Sequence, residues 1–177
     1  MGWTDVLLYT LMEAFRHNQK KRGLMGLSVG FSLHLTGSGV LDALQTCQFT
    51  LERLGVYFCE SCIDSNFMLA ELGKALPELN VLDIRGCSGV NSITPFLNAR
   101  AGREEHEDEE DFGEEDVDMN DSRGKHIFIL ARYSNISKNS LEESNAIHPG
   151  TFECVIDSGG TGRGITRYSI NFFVLFC

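Results

Sequence analysis

The chain has 177 residues, a length that suffices for one ordinary domain or a short run of repeats. Hydrophobic residues make up 42% of it, a fraction too high for a disordered chain. Its net charge of −10 at pH 7 argues against a nucleic-acid partner held through phosphates. No apolar run has the length needed to cross a membrane, and MGWTDVLLYT lacks the basic and apolar regions of a secretory signal. We therefore expect no membrane partner and, with six cysteines as free thiols, a cytoplasmic or nuclear protein.

The first predicted elements are a helix and a short strand. The segment DVLLYTLMEAFRH places Leu11 and Phe15 on one face of a helix. The segment LMGLSV then predicts a strand over residues 24–29. Between them, the basic cluster KKRG at residues 20–23 is interpreted as a solvated loop rather than a localisation signal.

A step of 28 residues relates the next two segments of the chain. The first set of recurring apolar or cysteine positions is Leu35, Leu41, Leu44, Leu51, Leu54, Val56 and Cys59. The second set is Ile63, Leu69, Leu72, Leu79, Leu82, Ile84 and Cys87. Self-similarity at a fixed period of this size is the signature of repeat architectures, so the sequence predicts stacked units.

Each unit consists of a strand, a turn and a helix. LERLGV and LNVLDI predict strands over residues 51–56 and 79–84, because apolar residues alternate with polar or small ones. In FMLAELGKALP, the residues Leu69, Leu72 and Leu76 share one helical face, and the helix must end at the proline. We expect the two strands to lie side by side in parallel.

An acidic run interrupts the pattern. Of the 25 acidic residues, 12 fall between Glu104 and Asp121, which leaves 25 − 12 = 13 acids against 15 bases in the rest of the chain. From Leu82 to Phe128 the spacing is 46 residues, 18 more than the step of 28. Because a block of like charge buries nothing, residues 101–124 are predicted to be a disordered acidic insertion in the helix side or outer loop of one repeat.

Two further strands are predicted beyond the insertion, over residues 126–130 and 152–156, with the short helix SLEESNAIH between them. The chain is thus divided into repeats over 1–100 and 125–167, the insertion, and an apolar tail over 168–177. Both ends of the array carry apolar residues that are expected to be exposed and to lower solubility. These are INFFVLF in the tail and Trp3, Val6, Leu7 and Leu8 in the first helix.

The segments LERLGVYFC and LNVLDIRGC resemble leucine-rich repeats of the cysteine-containing class, whose pattern is L-x-x-L-x-L-x-x-C. Such repeats are similar to those of plant F-box/leucine-rich-repeat proteins, and LARYSNISKNSLEESNAIHP resembles their last repeats more loosely. The resemblance implies an α/β fold, a leucine-rich-repeat solenoid in which a short curved array of strand–helix repeats forms a parallel sheet.

The resemblance also implies a function. F-box proteins of this kind are the substrate receptors of SCF-type (cullin) ubiquitin ligases, which would make this chain a protein-binding scaffold for substrate recognition. No F-box is visible, since that motif opens with Leu-Pro and the prolines here are Pro77, Pro95 and Pro149. The chain is interpreted either as a fragment or spliced product, or as a repeat protein that never had an F-box. A Skp-type adaptor is implied only where a longer product supplies the F-box.

The alternative function is a stand-alone interaction or regulatory module with no role in a ubiquitin ligase. In either case no catalytic residue and no cofactor is expected of this chain. SGGTGRG at residues 158–164 follows a predicted strand, but no helix and no Lys-Ser/Thr pair follows it as in a phosphate-binding loop. Asp64 is interpreted as a helix N-cap, and Cys154 as a core residue of the fifth strand because no histidine partner can be assigned.

The pair Cys59 and Cys62 has the spacing of half a zinc site. A structural zinc site needs four ligands, and the sequence contains no second C-x-x-C and no histidine pair with ligand spacing. Cys59 also occupies the position that Cys87 takes one repeat later. We therefore expect Cys59 to be a small buried side chain inside the turn after its strand, and we predict no metal site.

The alternation of side-chain direction along the strands predicts which residues bind a partner. Those between the core leucines point to the concave face, which predicts Arg53, Tyr57, Asp83 and Arg85 as residues that contact a protein substrate. Tyrosine and arginine often anchor protein interfaces. Phe58 stands at the end of its strand and either joins this face or packs inward.

Overall fold

The computed structural model of the protein describes residues 2–18, 23–102 and 126–156. Nearly all of the predicted acidic insertion lies outside these residues, as do the glycine-rich segment at 158–164 and the apolar tail at 168–177. Most of the basic cluster KKRG also lies outside them.

The described residues form an α/β fold of five strands and five helices. In chain order the elements are α1 (Asp5–Asn18), β1 (Gly26–Ser28), α2 (Gly37–Leu44) with a 3-10 turn (Gln45–Cys47), β2 (Arg53–Gly55), α3 (Asn66–Ala75), β3 (Val81–Asp83), α4 (Thr94–Arg100), β4 (Ile127–Leu130), α5 (Lys138–Ile147) and β5 (Phe152–Val155). Each observed strand lies inside the range predicted for it, and the predicted helices at α1, α3 and α5 are confirmed.

The strands form one parallel sheet in chain order, so each strand pairs with the next one along the chain. Leu54 lies beside Leu82, which confirms the predicted parallel pairing of residues 51–56 with 79–84. One row of mostly apolar side chains crosses the sheet through this pair. Its members are Leu27, Leu54, Leu82, Ile129 and Cys154.

The register at β4 corrects the predicted spacing. Leu82 pairs with Ile129, whereas Phe128 pairs with Val81, so the alignment of Leu82 with Phe128 was wrong by one residue. Ile127 and Ile129 are fully buried, and Phe128 is only partly buried on the opposite face. In a strand, a slip of one residue exchanges the two faces, and IFIL is apolar at every position, so the sequence pattern does not select between them.

The core lies between the inward side of the sheet and the helices. Leu69, Leu72 and Leu76, predicted to share a helical face, are at most 1% exposed. In α1 the buried residues are Leu8 and Met12, while the predicted Leu11 and Phe15 are only partly buried. Burying a leucine fully contributes about 1.5–3 kcal/mol, so these rows supply much of the stability.

Helices α2, α3 and α5 each begin at a hydroxyl cap. The side chains of Thr36, Ser65 and Ser137 each accept a hydrogen bond from the amide three residues later, which satisfies an otherwise free helix-end donor. At α3 this donor is Met68, 3.3 Å from the Ser65 hydroxyl. The prediction that Asp64 caps α3 is therefore wrong; its carboxylate instead accepts a hydrogen bond from the Ser65 hydroxyl at 2.9 Å.

The outer side of α1 is apolar. Val6 is 76% exposed and Leu7 is 52% exposed, as expected for an array end without a polar cap. Leu8 differs from the expectation, because it turns inward and is fully buried. Trp3 is partly buried against the core.

Candidate binding face

The residues predicted to bind a partner lie on the sheet face opposite the core. This is the face predicted to be concave, and we call it the outer face because it is not covered by the helices. Arg53 and Tyr57 are partly exposed there, on either side of buried Leu54. Arg85 is brought into contact with both Tyr57 and Asp83, as described below. Arg53 stands four residues before Tyr57 and occupies a separate part of the face, beside β3.

Asp83 and Arg85 form a two-pronged ion pair. The Arg85 Nε donates to Asp83 Oδ1 at 2.8 Å and Nη2 donates to Oδ2 at 2.6 Å, and the Arg85 amide adds a hydrogen bond of 3.2 Å to Oδ1. The Asp83 side chain is 0% exposed and that of Arg85 is 33% exposed. The hydrogen bond to Asp83 raises the pKa of Arg85. Asp83 is thus on the predicted face but buried, so the expectation that it contacts a partner is corrected: it holds Arg85 in place.

Tyr57 links this ion pair to the end of the sheet. The Arg85 guanidinium carbon lies 5.3 Å from the centre of the Tyr57 ring, within the range of a cation–π contact. The Tyr57 ring also lies against Gly30, where an added Cβ would come within 3.0 Å of three ring atoms. Because Gly30 has no side chain, there is room for the Tyr57 ring at this position.

Three aromatic residues follow the strands at equivalent positions, and we call Phe31, Phe58 and Tyr133 the aromatic row. The rings of Phe31 and Phe58 are stacked, with centres 5.1 Å apart and planes within 5°. The centre of the Phe58 ring is 6.0 Å from that of Tyr133. Phe31 and Tyr133 are 70% and 65% exposed, so the row presents ring surface at the carboxyl end of the parallel strands.

The aromatic row shares an uncommon backbone conformation. Phe31, Phe58 and Tyr133 have φ angles of 55°, 53° and 62°, in the left-handed region, and Gly86 takes the same place after β3 with φ of 72°. Hydrogen bonds between neighbouring turns hold this conformation. The amides of Phe31, Phe58 and Gly86 donate to the carbonyls of Tyr57, Arg85 and Arg132. These bonds continue the ladder of the sheet beyond its strands.

Gly86 makes room for the row. A Cβ at Gly86 would lie within 3.0 Å of three atoms of the Phe58 ring. The Phe58 ring therefore occupies the space above Gly86 and so comes close to Tyr133, two strands away. Of the two placements left open for Phe58, the structure shows the outward one, since its ring joins the row.

The sequence analysis did not identify Phe31 and Tyr133. A signal for them exists in the register: the residues four positions after Leu27, Leu54, Leu82 and Ile129 are Phe31, Phe58, Gly86 and Tyr133. The step of 28 residues relates only Leu54 to Leu82, so it does not bring the first strand or the misaligned fourth strand into this register.

The cysteines occupy the interior beneath the row. Cys59 is fully buried, as predicted, and its sulfur accepts a hydrogen bond from the Ser32 amide at 3.4 Å. Burial raises the pKa values of Cys59 and Cys62, and raises that of Cys87 to about 12. These thiols are neutral at pH 7 and therefore poor nucleophiles. Within the described residues no group of three or more His, Cys, Asp or Glu is placed to hold a metal ion.

Comparison with known proteins adds no assignment. No family model matches the chain. No curated protein matches it either. Among the described residues there is no helix long and apolar enough to span a membrane.

Proposed function

We propose that this protein is a protein-binding scaffold of the leucine-rich-repeat type, a short curved solenoid with an acidic insertion. The observation that carries the proposal is the parallel sheet in chain order, with Leu54 beside Leu82 at the predicted step. Stacked units of this kind place one row of side chains inside and leave the alternate row on a continuous outer face. That face carries Arg53, Arg85 and the Tyr57 ring, which suit contact with a protein segment.

The more specific proposal is that the scaffold is the substrate-recognition part of an SCF-type ubiquitin ligase. It is supported by the cysteine-containing repeat pattern of LERLGVYFC and LNVLDIRGC. In this role the outer face would hold the substrate, a Skp-type adaptor would bind an F-box in a longer product, and catalysis would belong to partner enzymes in the cytoplasm or nucleus. The second candidate is a stand-alone interaction module, because the sheet that carries the outer face is formed entirely by this chain.

Two binding measurements on the full chain separate these functions. In the first, the immobilised chain is incubated with cell extract, and proteins captured by the wild type are compared with those captured by Tyr57→Ala. The matched control is Phe67→Ala, which removes a phenylalanine that is 71% exposed on α3, away from the outer face. A set of proteins retained by the wild type and Phe67→Ala but lost from Tyr57→Ala supports the scaffold. Equal capture by all three contradicts it.

In the second measurement, purified Skp-type adaptor is passed over the same immobilised chain. Retention of the adaptor supports the ligase role for this chain. Capture of proteins through the outer face without retention of the adaptor shows that this chain by itself is an interaction module and that a ligase role requires the F-box of a longer product.

A further inference from the structure

The fold does not require aromatic side chains at the positions of the aromatic row. Gly86 shows that glycine occupies the equivalent turn after β3. A side chain in the left-handed region costs roughly 1–2 kcal/mol relative to its usual conformation, a cost that glycine avoids. Phe31 and Tyr133 carry this cost although they are 70% and 65% exposed and so contribute little to the core. Strained residues of this kind concentrate at sites of recognition.

The outer face beside the row is cationic in an otherwise acidic chain. Arg53, Arg85 and Arg132 are partly exposed on this face, against the acids Asp83 and Glu153. Asp83 is buried under Arg85 and neutralises it in an ion pair, so these two residues add no net charge to the face. Arg53 has no ion pair within residues 2–18, 23–102 and 126–156. Residues 2–18, 23–102 and 126–156 together contain 7 Lys and Arg against 12 Asp and Glu, a net of 7 − 12 = −5, so this face differs in sign from the rest of the described residues.

The distance between Arg53 and the aromatic row sets the length of a ligand that contacts both. Arg53 precedes Tyr57 by four residues of extended chain, which corresponds to about 13 Å at ~3.3 Å per residue. The aromatic row begins at the next residue, Phe58. A peptide in extended conformation along the strands would cover the same distance with about four residues.

From these observations we infer that the outer face and the aromatic row together bind an extended acidic peptide segment of a partner protein. An apolar side chain of the peptide packs against the aromatic row, and a carboxylate about four residues away pairs with Arg53. Arg85, held by Asp83, lies between the two contacts. This inference rests on the proposed scaffold function and names the class of its substrate.

The test uses the full chain and three fluorescein-labelled synthetic peptides in fluorescence anisotropy. The first has one phenylalanine followed by glutamates at the third, fourth and fifth positions after it, in a background of serine and threonine. The second has lysine in place of every glutamate. The third has alanine in place of the phenylalanine. The first peptide is expected to bind at least about tenfold more tightly than either of the others, and its affinity should fall with added salt.

Variants locate the binding. Phe31→Gly keeps the turn conformation that Gly86 shows to be acceptable, and Arg53→Glu reverses the charge at the far end of the face; each is expected to weaken binding about tenfold. Phe67→Ala is the control and should change binding by no more than about twofold. Circular dichroism and thermal unfolding confirm that each variant folds. An equal loss in the control, or equal binding of the acidic and lysine peptides, overturns the inference.

Two further results also decide the question. If no peptide binds while Tyr57→Ala still loses captured proteins, the scaffold function stands and the acidic-peptide inference fails. If a full chain with the acids of residues 104–121 changed to their amides binds the first peptide at least about tenfold more tightly, and the gain persists in salt that screens long-range repulsion, the chain's own acidic run occupies the face. That result overturns the assignment to a separate partner.

Discussion

Replacing Gly86 by alanine is expected to lower the free energy of unfolding by about 2–5 kcal/mol. Two costs add. The φ angle of 72° is in the left-handed region, where a Cβ costs about 1–2 kcal/mol. The new Cβ would also lie within 3.0 Å of three atoms of the Phe58 ring, which cannot move freely because it stacks on Phe31 at 5.1 Å. Overpacking of this kind costs about 1–3 kcal/mol.

Urea denaturation followed by circular dichroism measures the effect, with the slope of the transition checked against the wild type. Gly150→Ala is the matched control, because Gly150 has a φ of 71° but no atom within 4 Å of an added Cβ. This control is expected to cost only the conformational term, about 1–2 kcal/mol. Introducing Gly86→Ala into a Phe58→Ala background should reduce its cost to the same value, because the ring that it meets has been removed.

Two outcomes would refute this reasoning. One is an equal loss of stability in Gly86→Ala and Gly150→Ala, which would mean that the Phe58 ring does not press on Gly86. The other is an unchanged cost of Gly86→Ala in the Phe58→Ala background, which would place the steric conflict elsewhere.

Three other predictions concern charge, ionisation and helix capping. Arg85→Met should cost about 2–3 kcal/mol in urea denaturation, because it leaves the buried Asp83 carboxylate without its guanidinium. Adding Asp83→Asn should recover part of that loss. For Cys87, burial raises the pKa from its ordinary 9.0 to about 12, so the folded thiol keeps a proton that the unfolded thiol has lost. The resulting stability is complete below pH 9.0 and is lost as pH rises toward 12, and Cys87→Ala should reduce this alkaline slope by about 1.4 kcal/mol per pH unit. Ser65→Ala should cost about 1 kcal/mol by removing the acceptor of the Met68 amide, and Ser65→Asn should restore most of it.

Each of these has a contradicting result. A double Asp83→Asn/Arg85→Met variant no more stable than Arg85→Met would show that the carboxylate is not the source of the loss. An alkaline slope in Cys87→Ala equal to that of the wild type would show that this thiol ionises as easily in the folded state. Ser65→Asn as unstable as Ser65→Ala would mean that the hydroxyl acts through something other than the helix end.

The strands and their pairing were predictable because leucines with fixed spacing leave little freedom. Leu54 and Leu82 stand at the same place in two similar segments, and their side chains must both reach the core, so parallel neighbours were the expected result. The same reasoning failed at β4, where Ile127, Phe128 and Ile129 are all apolar and alternation carries no information. Only packing against β3 decides which of them faces inward.

The candidate site was predictable in position but not in role. Alternation placed Asp83 and Arg85 on the outer face, yet it could not show that the carboxylate would be buried beneath the guanidinium. Pairing between the last residue of a strand and a residue in the turn that follows depends on side-chain geometry. Phe31 and Tyr133 were missed because they follow the strands in turns, where hydrophobic periodicity ends. The positive φ angle that these two residues share can be seen only in the structure.

The connection between α4 and β4 is longer than those before β3 and β5, and the sheet nevertheless continues across it. Residues 76–80 connect α3 to β3 and residues 148–151 connect α5 to β5, whereas residues 101–126 connect α4 to β4. Despite this length, Val81 still pairs with Phe128 and the ladder continues to β5. Closing a connection about five times longer costs only about 1.4 kcal/mol. A fluorescent protein or an affinity epitope grafted between α4 and β4 would therefore leave the scaffold assembled, which makes this join the natural attachment point for a reporter.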